Sequence, residues 1–149
     1  MNRTQKLYEL AHGLLYPDSG ADCYPEEFRV RHAETLRLAD ELFALRGATP
    51  DEEGRLCLAL LMGYMATIYD SGDKAQRRAA VLDRIVRVLP ELEPSLLKCR
   101  LLVYAYGELF DERLAAEALA LLRDREAAPA PLSSDERELL DALRDLMAY

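Results

Sequence analysis

Histidine, cysteine and long apolar runs are scarce in this sequence, and each shortage removes a class of function. Only two histidines occur in 149 residues, His12 and His32. Neither has a Cys or acidic partner at a metal-ligand spacing such as HExxH or CxxC, so no metal site is expected. Both read as partly exposed polar side chains on helix flanks. The three cysteines, Cys23, Cys57 and Cys99, are odd in number and far apart. That argues against a disulfide framework and fits a reducing compartment. Cys57 and Cys99 lie in apolar helical surroundings, where a free Cys packs as a small hydrophobe. The longest uncharged stretch, Leu56 to Tyr69, falls short of the roughly 20 apolar residues that span a bilayer. It reads as a buried core helix. No apolar run follows the charges of Met1 to Leu7, so a secretory signal is not expected, and the expected setting is cytoplasmic without a membrane partner.

Catalytic signatures are equally sparse. The serines lie in turns and caps, none in a nucleophile-elbow context. Gly72 and Gly107 are isolated, so no loop cradles a phosphate, and no cofactor is expected. Gly63 falls inside a helix, where it costs about 1 kcal/mol relative to Ala and marks the close approach of a neighbouring backbone. Asp70, Asp73, Glu108, Asp111 and Glu112 gather at helix ends, where capping and dipole roles account for them. A helical carboxylate metalloenzyme therefore ranks only as an alternative, and no catalytic residue is assigned.

What is present is a large apolar fraction, 50%, with 31% charged residues and a formal charge of −8. The balance suits one globular domain over residues 1–149. The charge is uneven. Residues 1–73 carry 7 basic and 13 acidic side chains, residues 74–103 carry 7 and 3, and residues 104–149 carry 5 and 11. Direct nucleic-acid binding is not expected of so acidic a chain, although it can compete for a basic partner's surface.

Apolar periodicity and punctuation divide the chain into about seven helices. The first runs from about Thr4 to Tyr16 and is stopped by Pro17-Asp18-Ser19-Gly20. A loop through Cys23-Tyr24 leads to a second from Pro25 to about Leu45, with Phe28, Leu36, Ala39, Leu42 and Phe43 inward. Thr49, Pro50 and Glu52 have the spacing of a capped start with a capping box, opening a third helix to about Asp70. Asp73 caps a fourth to Leu89, with Ala75, Leu82, Ile85, Val86 and Leu89 inward and Lys74, Arg77, Arg84 and Arg87 as a solvated basic stripe. A fifth covers Ser95 to Leu109, and a sixth runs from Asp111 to Glu126. A stiff Pro/Ala linker over 127–132 precedes a seventh, opened by a second capping box at Ser133 and Glu136. No segment alternates with period two. The expected fold is all-α: antiparallel helices in an irregular array or bundle, tetratricopeptide-like in part over Lys98 to Asp124.

The tyrosines Tyr64, Tyr69, Tyr104 and Tyr106 read either as buried rings with satisfied hydroxyls or as anchors of a protein interface. The run Leu58-Ala-Leu-Leu-Met-Gly63-Tyr64-Met-Ala-Thr-Ile-Tyr69-Asp70-Ser-Gly-Asp73-Lys74 resembles the signature segment of the UpxZ family. Leu10 to Tyr16, Ser95 to Leu102, Tyr104 to Glu108 and Phe110 to Glu112 extend the likeness. The resemblance implies an inhibitor encoded in capsular-polysaccharide loci of gut bacteria. Its implied partner is a NusG-like antitermination factor of the UpxY type, made from another locus. The implied mode is protein–protein binding, with no enzymatic activity. The candidate contact surface is Tyr64, Tyr69, Asp70, Asp73, Lys74 and Arg77, with Tyr104 and Tyr106. The alternative from another class is a generic helical adaptor that holds a peptide in a groove. Self-association is left open by the residues.

Overall fold

The computed structural model describes residues 2–17 and 25–148. Cys23, Tyr24 and the Asp18-Ser19-Gly20 stop lie outside the described residues. The chain is all-α, with seven helices and no strand among the described residues: α1 (Arg3–Leu15), α2 (Pro25–Leu42), α3 (Pro50–Ala66), α4 (Lys74–Val88), α5 (Leu96–Leu109), α6 (Glu112–Glu126) and α7 (Ser134–Met147). A 3-10 turn, Leu89–Glu91, follows α4. Contacts group the chain into two compact units, Met1–Arg84 and Ile85–Tyr149.

Caps set most of the helix starts. Asn2, Thr49, Ser95 and Ser133 each accept the amide three residues on through a side-chain oxygen. Each such bond satisfies one of the amides a helix start leaves unpaired. At Ser133 the box is complete, because the Glu136 carboxylate returns to the Ser133 amide at 3.0 Å. At Thr49 it is displaced by one residue: Glu52 accepts the Ala48 amide instead, at 3.1 Å. The α5–α6 corner turns at Phe110, in the left-handed region at φ 52°, and Asp111 then caps α6.

In the first unit α1, α2 and α3 pack against one another. Every residue of α3 from Leu56 to Tyr64 is buried, which leaves that stretch no solvated face. Leu7 and Ala11 of α1 and Leu38, Ala39 and Leu42 of α2 complete the core. The close approach at Gly63 is made by side chains: a Cβ there would lie 3.1 Å from Leu7 Cδ1 and 3.5 Å from Ala39 Cβ. Gly47 is tighter still, since a Cβ would fall 2.1 Å from the Glu53 backbone nitrogen.

The second unit is a smaller three-helix arrangement in which α5 packs on α6 and α7, and these on each other. The α5–α6 hairpin matches the tetratricopeptide-sized piece. Its bend is at Phe110, while Gly107 lies within α5 against Leu146. Leu101, Leu102 and Ala105 of α5 meet a core completed by Ala118 and Leu122 of α6 and Leu140 and Leu143 of α7. Arg125 and Glu136 close the 127–132 linker with paired bonds of 2.7 and 3.0 Å.

Three expectations are corrected. Helix α3 ends at Ala66 and not near Asp70, because Thr67 turns extended. On α4 the buried positions are Val81, Leu82, Ile85 and Val88, whereas Ala75 and Val86 are exposed. The basic stripe is not a solvated face. Arg84 is 8% exposed and grips both oxygens of Glu53, at 2.9 and 2.8 Å, while also donating to the carbonyls of Phe43 and Leu45. Burial opposes ionisation of Glu53. The Arg84 hydrogen bonds and the Gly47 amide outweigh it and hold the carboxyl below its usual range.

Cys57 and Cys99 are buried free thiols, and burial pushes them up to about 12 and about 11. At neutral pH both are therefore inert packing groups.

Breaking the Arg84–Glu53 pair from one side should be costly, because the partner left behind is largely removed from water. Arg84→Ala is expected to lower unfolding free energy by roughly 3 kcal/mol in denaturant titration. Because Glu53 is depressed, the pair's contribution is complete above the ordinary carboxylate range and is lost as pH falls through the folded value. Arg84→Ala should therefore differ least from wild type in acid. Gly47→Ala should cost at least about 2 kcal/mol, since only backbone movement can relieve the clash. A cost below about 0.5 kcal/mol would contradict the packing described.

Candidate functional site

Where α3 ends, the chain stops being apolar and its polar side chains gather. Thr67 leaves the helix, and residues 68–73 run back past α2 before α4 begins. Between this segment and α2 lies an open groove of about 730 Å³. Ala33, Leu36, Arg37, Asp40 and Glu41 of α2 form one wall; Tyr69, Ser71, Asp73 and Arg77 form the other.

A single carboxylate organises the floor. Asp40 accepts the Tyr64 hydroxyl at 2.9 Å, the Arg77 guanidinium at 2.5 Å and the Ser71 hydroxyl at 3.2 Å. Arg77 also stacks over the Phe43 ring, 5.2 Å from its centroid, and Phe43 meets Tyr64 edge-on. Burial, then the Asp40 carboxylate, pushes the Tyr64 hydroxyl far above its ordinary value, so it remains a proton donor throughout. At the rim Glu41 is held by both Arg37 and Arg3 at 2.7 Å. The groove thus presents Ala33, Leu36 and Tyr69 between charges that are largely paired. A less polar centre with a polar margin is the usual make-up of a protein-binding face.

The looping segment is held by backbone acceptors. Lys74 donates to the carbonyls of Thr67 and Tyr69 at 2.5 and 3.1 Å. The Asp70 carboxylate takes the amides of Gly72 and Lys74. His32 is not the partly exposed flank residue expected. It is buried, and its Nδ1 accepts the Ile68 amide at 3.1 Å. Its proximity to two rings and a backbone donor is what the sequence could not display. His12 is exposed as expected, between Tyr8 and Tyr16.

The predicted contact residues divide accordingly. Tyr69, Asp73 and Arg77 line the groove, and Tyr64 lies fully buried beneath it. Asp70 and Lys74 shape the segment that forms one wall. Tyr104 and Tyr106 belong to the second unit, where Tyr106 is buried with its ring edge-on to Phe110. The α2 wall was missed entirely. Its one available signal was the Arg37–Glu41 spacing, which brings the two charges together on one helix face. Among the described residues no three His, Cys, Asp or Glu side chains come together in a way that could hold a metal ion. Nor is any helix of the described residues long and apolar enough to cross a membrane.

Comparison with known proteins agrees with this architecture. The model of the UpxZ family of transcription anti-terminator antagonists matches residues 4–107. Among solved structures, the chain is similar to a transcription anti-terminator antagonist UpxZ from Bacteroides uniformis ATCC 8492. The two are 40% identical with a TM-score of 0.85, and the match covers 98% of this chain and 90% of that one. No curated protein matches. A family match over most of the chain, joined to a close structural likeness along nearly all of it, shows that this chain belongs to the UpxZ family of transcription anti-terminator antagonists.

Proposed function

We propose that this protein binds NusG-like antitermination factors of the UpxY type made from other capsular-polysaccharide loci and blocks them, in the cytoplasm, so that its own locus gains precedence. Family membership is the observation that carries this reading. The α2 groove is the proposed contact, because it joins an apolar strip to the segment that bears Tyr69 and Asp73. Association through such a face needs no chemistry on the partner. It needs only to cover the surface that the factor uses on RNA, DNA or polymerase.

A pull-down against UpxY-type factors from the same locus and from others, with RNA as competitor, tests the proposal. Selective capture of the non-cognate factors is expected. No capture at micromolar concentration would sink it. Within that assay Tyr69→Ala and Asp73→Ala are the informative variants, because neither side chain lies in the core and the first amide of α4 is taken by Asp70, not by the Asp73 cap expected from the sequence. Each should weaken capture at least about tenfold, which is about 1.4 kcal/mol, with little change in melting temperature. Tyr64→Phe should instead cost about 1 kcal/mol of stability, because Asp40 loses a donor. If Tyr69→Ala and Asp73→Ala lower melting temperature as much as they lower capture, the groove is structural and not the contact.

A further inference from the structure

The segment after α3 supplies Tyr69, Ser71 and Asp73 to the groove, yet it has no helix of its own to hold it there. Apart from the Ser71 hydroxyl on Asp40, its attachment to α2 runs through His32, which is 4% exposed. The His32 carbonyl accepts the Thr67 hydroxyl at 3.1 Å, and that hydroxyl oxygen accepts the Tyr69 amide at 3.2 Å. The His32 ring then takes the next link, with Nδ1 accepting the Ile68 amide at 3.1 Å. A backbone N–H can only donate, so Nδ1 must keep its lone pair. The ring is neutral, with its proton on Nε2.

The surroundings reinforce that state. Phe28, from α2 itself, packs on the imidazole with ring centroids 4.2 Å apart, and Tyr69 meets it edge-on at 6.4 Å. From the start of α4 the Lys74 ammonium adds a like charge to any imidazolium. Further along α2, Glu34 is taken up by Lys6 of α1 at 3.2 Å. Among the described residues no carboxylate acts on the ring in compensation. Burial first, and then Lys74, lower the histidine's pKa from its ordinary 6.5.

We infer that neutral His32 is the positioning residue of this groove wall, and that protonating its Nδ1 releases the Ile68–Asp70 end of the segment from α2, with Ser71 still on Asp40. An imidazolium has two donors and no acceptor, so it would face the Ile68 amide donor to donor. Since the folded protein favours the neutral ring, the latch is complete above the ordinary histidine value. It is lost as pH falls through the lower folded value. A consequence for partner binding rests on the function proposed above; the latch itself does not.

Amide hydrogen exchange on the full chain, corrected for the intrinsic pH dependence of exchange, reads the latch directly. Protection at Ile68 and Tyr69 should fall as pH drops from the ordinary histidine value towards the lower folded one, by up to about tenfold per pH unit, and level off beneath it, while Leu60 and Leu61 of α3 stay protected. His32→Asn keeps an acceptor near the Nδ1 position but cannot titrate. It should hold Ile68 protection level from neutral pH to about pH 5. If that variant does not fold, the wild-type profile decides alone. Wild-type protection at Ile68 that ignores pH would overturn the inference, as would a His32→Asn profile that falls like wild type. Capture of a UpxY-type factor should weaken in acid for wild type and not for His32→Asn. Absent capture at every pH, with pH-dependent exchange intact, would count against the partner reading alone.

Discussion

A helix without a solvated face can be buried only if neighbours satisfy the polar groups at its two ends, and α3 places this demand on the first unit. Between Leu56 and Tyr64 it offers water nothing, so α1 and α2 must cover it. Unpaired polar groups at a buried helix end cost about 1–3 kcal/mol each, comparable to several buried methylenes. Long-range polar contacts accordingly meet both ends of α3. At the amino end, Arg84 and the Gly47 amide share Glu53. At the carboxyl end, Asp40 receives Tyr64, and His32 receives Thr67.

The two ends are not equivalent. At the Glu53 end the charges face one another and are largely shielded, with side-chain exposures of 9% for Arg84 and 17% for Glu53. Nothing there is presented outward. At the other end Asp40 and Arg77 retain about a quarter of their exposure and stand in the wall of an open groove. The same constraint that stabilises the fold thus yields one closed polar cluster and one accessible one.

This asymmetry also explains which features were legible in the sequence. Caps are local: Thr49, Ser95, Asp111 and Ser133 each act on an amide two or three residues away, so their spacing alone places the helix starts. The all-α class follows from apolar periodicity for the same reason. The end of α3 is not local. Residues 67–70 continue a helix-compatible pattern, but Thr67 and Ile68 are drawn away by His32, 35 and 36 residues earlier. The basic stripe fails likewise, because helical spacing shows that Arg84 and Arg77 share a side and not that Glu53 and Asp40 wait opposite. Tyr69 and Asp73 of the groove drew notice in the sequence because they lie in the segment that resembles the family. The α2 wall carries no such label, being an ordinary amphipathic helix until the fold sets it beside residue 69.

The family match ends at residue 107, inside α5, whereas the structural likeness to the Bacteroides uniformis protein runs over 98% of the chain. Packing reconciles the two. Leu101, Leu102 and Ala105 are fully buried, and within the second unit the helices that pack on α5 are α6 and α7. Covering an apolar stripe asks only for side chains of suitable size at helical spacing, such as Ala118, Leu122, Leu140 and Leu143. Many sequences satisfy that requirement equally well. The carboxyl end of α3 is under a stricter one. Its Tyr64 hydroxyl, Thr67 hydroxyl and Lys74 ammonium each need a partner at a fixed place, and few substitutions preserve all three contacts. A fold can therefore persist through α6 and α7 beyond the end of the family match.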